Sequence, residues 1–162
     1  TGYSVLDQSQ LTFSQYPFPF VKNNVPNEVY IVMPYDYTYN EFKAAQDIAV
    51  SIQGKNPVGP AIVTDKDVPE GEHNLILIGN ACNNDLISQE LATTSCDTGL
   101  QAGQASLTLV NHQRTSTLVV SAYNNADLEK AAVVISNFNF YPLTKTNIIV
   151  NGELGNLVLN YF

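Results

Sequence analysis

At 162 residues and 44% hydrophobic, the chain is long enough for one domain with a buried core and too apolar to be disordered. Only 14% of residues are charged, against about 25% in an average soluble domain, yet fifteen acids face seven bases and leave a net charge of -8. Arg114 and the scattered lysines offer no basic footprint for a phosphate backbone, which excludes nucleic acid as a partner.

Asn, Gln, Ser, Thr and Tyr supply the remaining polarity. Such a weakly charged surface suits packing against other protein. No apolar run is long enough to span a membrane, and Thr1 begins without a Met or a basic signal region. The sequence therefore reads as a mature or trimmed product. It contains no Asn-x-Ser/Thr acceptor, so N-glycosylation is not expected.

In chain order, residues 1–20 are aromatic and end in Phe13-Ser-Gln-Tyr-Pro-Phe-Pro-Phe20. Two prolines two apart predict an extended path at a sheet edge. Lys22-Asn-Asn-Val-Pro26 reads as a turn, and Glu28-Val-Tyr-Ile-Val-Met33 as a strand buried on both faces. Thr38-Tyr-Asn-Glu41 has capping-box spacing. The helix it opens carries Phe42, Ala45, Ala49 and Ile52 on one stripe with Ile48 beside them. A short strand over 61–64 and an acidic loop over 65–73 follow.

Leu75-Ile-Leu-Ile78 is the next strand, and after Gly79 a helix capped by Asn83 or Asn84 runs to about Leu91. Residues 93–104 form a loop. Ser106-Leu-Thr-Leu-Val110 and Thr117-Leu-Val-Val120 are close enough to form an antiparallel pair. A last helix, capped by Asn124 or Asn125, places Leu128, Ala131, Ala132, Ile135 and Phe138 at helical spacing. Residues 147–150 and 156–162 are two more strands around turn residues. The expected whole is an α/β, three-layer single domain over 1–162. Its sheet is mixed and mostly parallel, with an antiparallel pair and extended terminal strands.

Chemistry is expected first at the strand-to-helix turns. Gly79-Asn-Ala-Cys-Asn-Asn84 offers free amides to an anion, but no phosphate-loop or dinucleotide fingerprint is present. Helix capping needs the same residues. Cys82 at a helix start suits a nucleophile, for which His73 and His112 are the only imidazoles. With Cys96 it equally suits a disulfide of about 3 kcal/mol on the loop-entropy account, and two buried thiols are the third option. Asp65, Asp67, Glu70 and Glu72 do not match a calcium loop, and a solvated acidic loop is their default. No catalytic residue, metal ligand or cofactor is assigned. Nine tyrosines favour protein contacts.

Four segments together resemble the α/β domain of archaeal S-layer proteins, found in methanogens and Thermococcus-like archaea. They are Tyr16-Pro-Phe-Pro-Phe-Val-Lys22, Ala44-Ala-Gln-Asp-Ile-Ala-Val-Ser-Ile52, Leu75-Ile-Leu-Ile-Gly-Asn-Ala-Cys-Asn83 and Leu118-Val-Val-Ser-Ala-Tyr-Asn-Asn-Ala-Asp-Leu-Glu-Lys-Ala-Ala132. The order matches across about residues 11–150, with Asn80 and Ala81 standing where the family has Gly and Pro. The resemblance implies an extracellular setting, the signal peptide removed, and with it a Cys82–Cys96 disulfide.

The expected function is that of a secreted archaeal structural protein. It self-assembles into a cell-surface lattice or filament, with itself and other surface proteins as partners, and is not an enzyme. Residues 1–20 and 147–162 are the candidate assembly elements. A glycan- or partner-binding module using Tyr35, Tyr37 and Tyr39 is the alternative, because open α/β sheets bind ligands at that edge. A small hydrolase using Cys82 is the third reading.

Overall fold

The structure, a computed structural model, describes residues 8–162. Three parallel and three antiparallel pairings build one seven-stranded mixed sheet. Its strands are β3 (Val29–Met33), β4 (Ala61–Thr64), β5 (Asn74–Ile78), β6 (Ala105–Asn111), β7 (Ser116–Ala122), β8 (Asn147–Glu153) and β9 (Asn156–Tyr161), in the spatial order β4-β3-β5-β7-β6-β8-β9. The first four neighbours in that order run parallel, and β6, β8 and β9 continue the sheet as antiparallel strands. The C-terminal strands thus close the sheet of their own domain. A two-stranded ribbon, β1 (Val21–Lys22) with β2 (Val25–Pro26), precedes them. Its turn residues, Asn23 and Asn24, both take positive φ, as such tight hairpins require.

Alternation along each strand divides the core in two. Val29, Ile31, Ile76, Ile78, Leu118, Val120, Leu107 and Ile148 point to one face, where they meet Ala44, Ala45 and Ile48 of α1 (Tyr39–Ser51) and Leu128, Ala131 and Ile135 of α3 (Leu128–Ser136). Val32, Leu77 and Val119 point the other way, toward Ile87 of the short α2 (Asp85–Leu91). The three layers are therefore unequal. Among the described residues two helices cover the first face, and one helix of seven residues covers part of the second.

Of the stripe expected on α1, Ala45, Ile48 and Ile52 are buried and Phe42 and Ala49 half-buried. Ala44 is also buried, because α1 packs against α3 as well as against the sheet. Small residues at 44, 45, 131 and 132 let the two helices approach closely. Lys43 spans them with an ion pair to Glu129 at 3.3 Å, an exposed contact of little energetic weight.

The N-terminal segment corrects the expectation of an extended path. The expectation for residues 1–7 lies outside the described residues. From Gln8 onward the chain forms two 3-10 turns, Gln8–Gln10 and Phe13–Gln15. Thr12 and Gln15 form a capping box around the second. The segment turns because its aromatics belong to the core. Phe13 and Phe20 are fully buried with Leu11 and Tyr16, and Phe13 N–H donates to the Lys145 carbonyl at 2.7 Å. Burial also pushes the Tyr16 hydroxyl well above the usual tyrosine range. The lower end of the helix-side core is closed by the described part of this segment, residues 8–20, which contributes no strand to the main sheet.

Phe20→Ala is expected to lower stability by about 3–5 kcal/mol in urea titration. Phe140→Ala, at a side chain 87% exposed, is expected to change it by less than about 0.5 kcal/mol.

Candidate functional site

In open α/β sheets a ligand crevice forms where successive connections leave neighbouring strands for opposite faces. Here that point lies between the C-terminal ends of β3 and β5. The chain leaves β3 for α1 on one face and β5 for α2 on the other. Both strand-to-helix turns singled out in the sequence converge there, and the residues themselves fill the space.

Gly79 opens the turn with φ at +128°, and a Cβ there would lie 2.6 Å from Asn83 Oδ1 and 3.3 Å from Glu41 Oε2. Glycine is required on both counts. Asn80 Oδ1 accepts from the backbone N–H of Cys82 (2.8 Å) and Asn83 (3.0 Å), while Asn83 Oδ1 accepts from Asn80 N–H (2.8 Å). The amides that would hold an anion are thus satisfied by the turn's own side chains. Asn84 is the helix cap that the sequence predicts: its Oδ1 accepts from Leu86 N–H at 3.1 Å. It is fully buried, and its amide group donates to the carbonyls of Val32 (3.2 Å) and Ile78 (3.0 Å), stitching the ends of β3 and β5 together.

Glu41 completes the plug. Its carboxyl group is fully buried and accepts from Thr38 N–H (2.9 Å), the Thr38 hydroxyl (2.9 Å) and Asn83 Nδ2 (2.9 Å). Three donors and a place in the first turn of α1 compensate its removal from water. Capping-box spacing identifies Glu41 as a cap. Its burial depends on Asn83, forty-two residues away, and no local pattern shows that.

The second turn corrects one expectation. Neither Asn124 nor Asn125 caps α3 through its side chain. A 3-10 turn over Asn125–Asp127 leads into the helix, and Asn125 Nδ2 donates instead to the Thr38 hydroxyl, tying the two loops together. Lys130 is buried beside this turn, with Nζ on the Gly103 carbonyl (2.8 Å) and Asp127 (3.3 Å). They line a polar cleft of about 460 Å³.

The other candidates separate. Cys82 and Cys96 form a disulfide with Cα atoms 4.9 Å apart, solvent-exposed at both residues. It closes a loop around α2, whose entropy cost in the unfolded chain is about 3 kcal/mol. Beyond it, the Ser95 hydroxyl and Gly99 N–H hold the Asp97 carboxyl below the usual carboxylate range. The hydrolase reading is overturned by the disulfide, since a bonded sulfur is no thiolate. Both histidines also lie at the opposite end of the sheet: His73 precedes β5 and packs its ring on Tyr30, and His112 follows β6 and pairs with Glu90.

The acidic loop does not gather. Asp65 accepts from Asp85 N–H (2.9 Å), Asp67 from the Thr64 hydroxyl (3.0 Å), and Glu72 reaches toward Arg114 (4.0 Å). Among the described residues no group of three His, Cys, Asp or Glu is placed to hold a metal ion, and no helix is long and apolar enough to cross a membrane.

Tyr35, Tyr37 and Tyr39 remain beside the plug, 56%, 48% and 73% exposed. Tyr37 stacks on Phe42 with centroids 5.9 Å apart, and Lys66 Nζ lies 4.9 Å over the Tyr35 ring. Tyr123, at the end of β7, is exposed as well. Tyr16 is buried and Tyr30, Tyr141 and Tyr161 are half-buried; Tyr3 lies outside the described residues. The chain matches no protein-family model and no curated protein.

Asn84→Ala removes the cap and the side-chain amide that donates to the Val32 and Ile78 carbonyls. It is expected to cost about 2–4 kcal/mol in chemical denaturation, at the upper end for a single polar side chain.

Proposed function

We propose that the chain is a secreted structural subunit that assembles with copies of itself into a cell-surface lattice or extracellular filament. The carrying observation is the plug. The crevice where an α/β sheet ordinarily accepts a small molecule is filled by Glu41, Asn83 and Asn84, which are already bonded to one another or to the strand ends. Contacts at the surface then carry the function.

Three further features support this reading. An exposed disulfide is compatible with an oxidising compartment. The surface is sparsely charged for a chain of this size and presents four exposed tyrosines at one end. The order of four motifs resembles the α/β domain of archaeal S-layer proteins. In this reading the protein has no catalytic role, and its partners are itself and other surface proteins.

Electron microscopy of concentrated protein is expected to show ordered sheets or filaments. Monomers that persist at every concentration, with and without calcium, overturn the proposal.

A second reading rests on the exposed rings of Tyr35, Tyr37 and Tyr39, which offer stacking faces of the kind that sugars and partner proteins use. A glycan array is expected to give binding that falls about tenfold or more in the Tyr37→Ala/Tyr39→Ala double variant, an aromatic contact contributing on the order of 1 kcal/mol. An array without hits removes the glycan form of this reading.

A further inference from the structure

The two edges of the main sheet are built differently. At one edge β4 has four residues, enters from Pro60 and exits into Asp65-Lys66-Asp67. Short length, proline and charge are the devices by which natural sheets prevent further pairing. At the other edge β9, Asn156-Leu-Val-Leu-Asn-Tyr161, has six residues with no charge and no proline, and its register with β8 runs unbroken without a bulge. Leu154 and Gly155 before it and Phe162 after it are uncharged as well.

The register shows what this edge presents. Phe162 N–H donates to the Asn147 carbonyl at 2.8 Å, so the even-numbered residues of this strand face β8. The N–H and C=O groups of Leu157, Leu159 and Tyr161 therefore point away from the sheet. Their side chains are half-buried against the helix-side core, while Val158 (53% exposed) and Asn160 stand on the other face.

We propose that β9 pairs antiparallel with β9 of a second copy, joining two seven-stranded sheets across a two-fold axis at Leu159. A second copy is the occupant because edge groups unpaired among the described residues, carried on an uncharged strand, can meet themselves about a two-fold axis. Centring on Leu159 places Leu157 opposite Tyr161 of the copy and Tyr161 opposite Leu157, so every outward N–H and C=O of the three residues gains a partner. On the other face Val158 meets Asn160. Charge agrees with this choice. Two chains of net charge -8 repel, and a neutral strand lets them meet without opposed acids, whereas the edge at β4 is flanked by Asp65 and Asp67. A single strand pair is a small contact beside a standard interface of roughly 1,600 Å², so it serves as one joint of a larger assembly. The inference rests on the self-assembly reading.

Val158→Lys/Asn160→Lys sets like charges opposite each other twice across the axis. Both side chains are exposed, so the melting temperature of the monomer should hold. By analytical ultracentrifugation the wild-type chain is expected to dimerise and the double variant to associate about tenfold more weakly or worse. Mixing it with Val158→Glu/Asn160→Glu is expected to restore a dimer containing one of each.

A second measurement needs no substitution. Amide protons of Leu157, Leu159 and Tyr161 are expected to exchange slowly in concentrated protein and quickly on dilution. Association that both double variants leave unchanged, or exchange rates independent of concentration, overturns the edge pairing and leaves self-assembly standing. A wild type that stays monomeric in all conditions overturns both.

Discussion

A strand buried on both faces ends in peptide groups that no water reaches, and each must find a partner within the protein. In β5 two asparagines meet that requirement. At its start Asn74, 3% exposed, donates to the carbonyls of Pro19 and Asn27 and accepts from Ser116 N–H. Beyond its end Asn84 donates to the carbonyls of Val32 and Ile78. The N-terminal segment, β3, α2 and β7 are all referenced to this one strand. An amide side chain suits the task because it donates and accepts at once without bringing a charge into the core.

The same economy explains why the switch point is closed. A crevice built for a ligand leaves polar groups waiting for it. Here the turn residues are matched within the chain, from Asn80 and Asn83 in one turn to Thr38 and Glu41 in the next and Asn125 in the third, while Asp65 Oδ1 and Ser121 Oγ at the same end of the sheet are buried without a hydrogen-bond partner. A network so matched fixes loop positions, and fixed loops hold the exposed rings of Tyr35, Tyr37 and Tyr39 as a stable surface.

Local signals carried much of this fold into the sequence. The capping-box spacing at Thr38 and Glu41, the apolar run of Leu75-Ile-Leu-Ile78 and the cap at Asn84 each correspond to an observed element. The alternation over 106–110 and the short link to 117 give the antiparallel pair. What stayed hidden depends on partners distant in sequence. Two prolines in Phe13-Ser-Gln-Tyr-Pro-Phe-Pro-Phe20 argue for an extended path, and burial of Phe13 and Phe20 overrides them. Asn124 and Asn125 look like caps, but Asn125 takes a hydroxyl eighty-seven residues away. The cysteine spacing permits a bridge, and only the return of the loop after α2 brings the two together.

That bridge has a consequence for how the molecule behaves when it opens. Among the described residues the second sheet face is covered by a single helix, of seven residues, so α2 is expected to lift more readily than α1 or α3. Lifting bares Val32, Leu77 and Val119, an apolar stretch to which other molecules adhere. The disulfide works as a leash: with both ends of the segment joined beside β5, the helix swings a short way and settles back before another molecule reaches the uncovered strands.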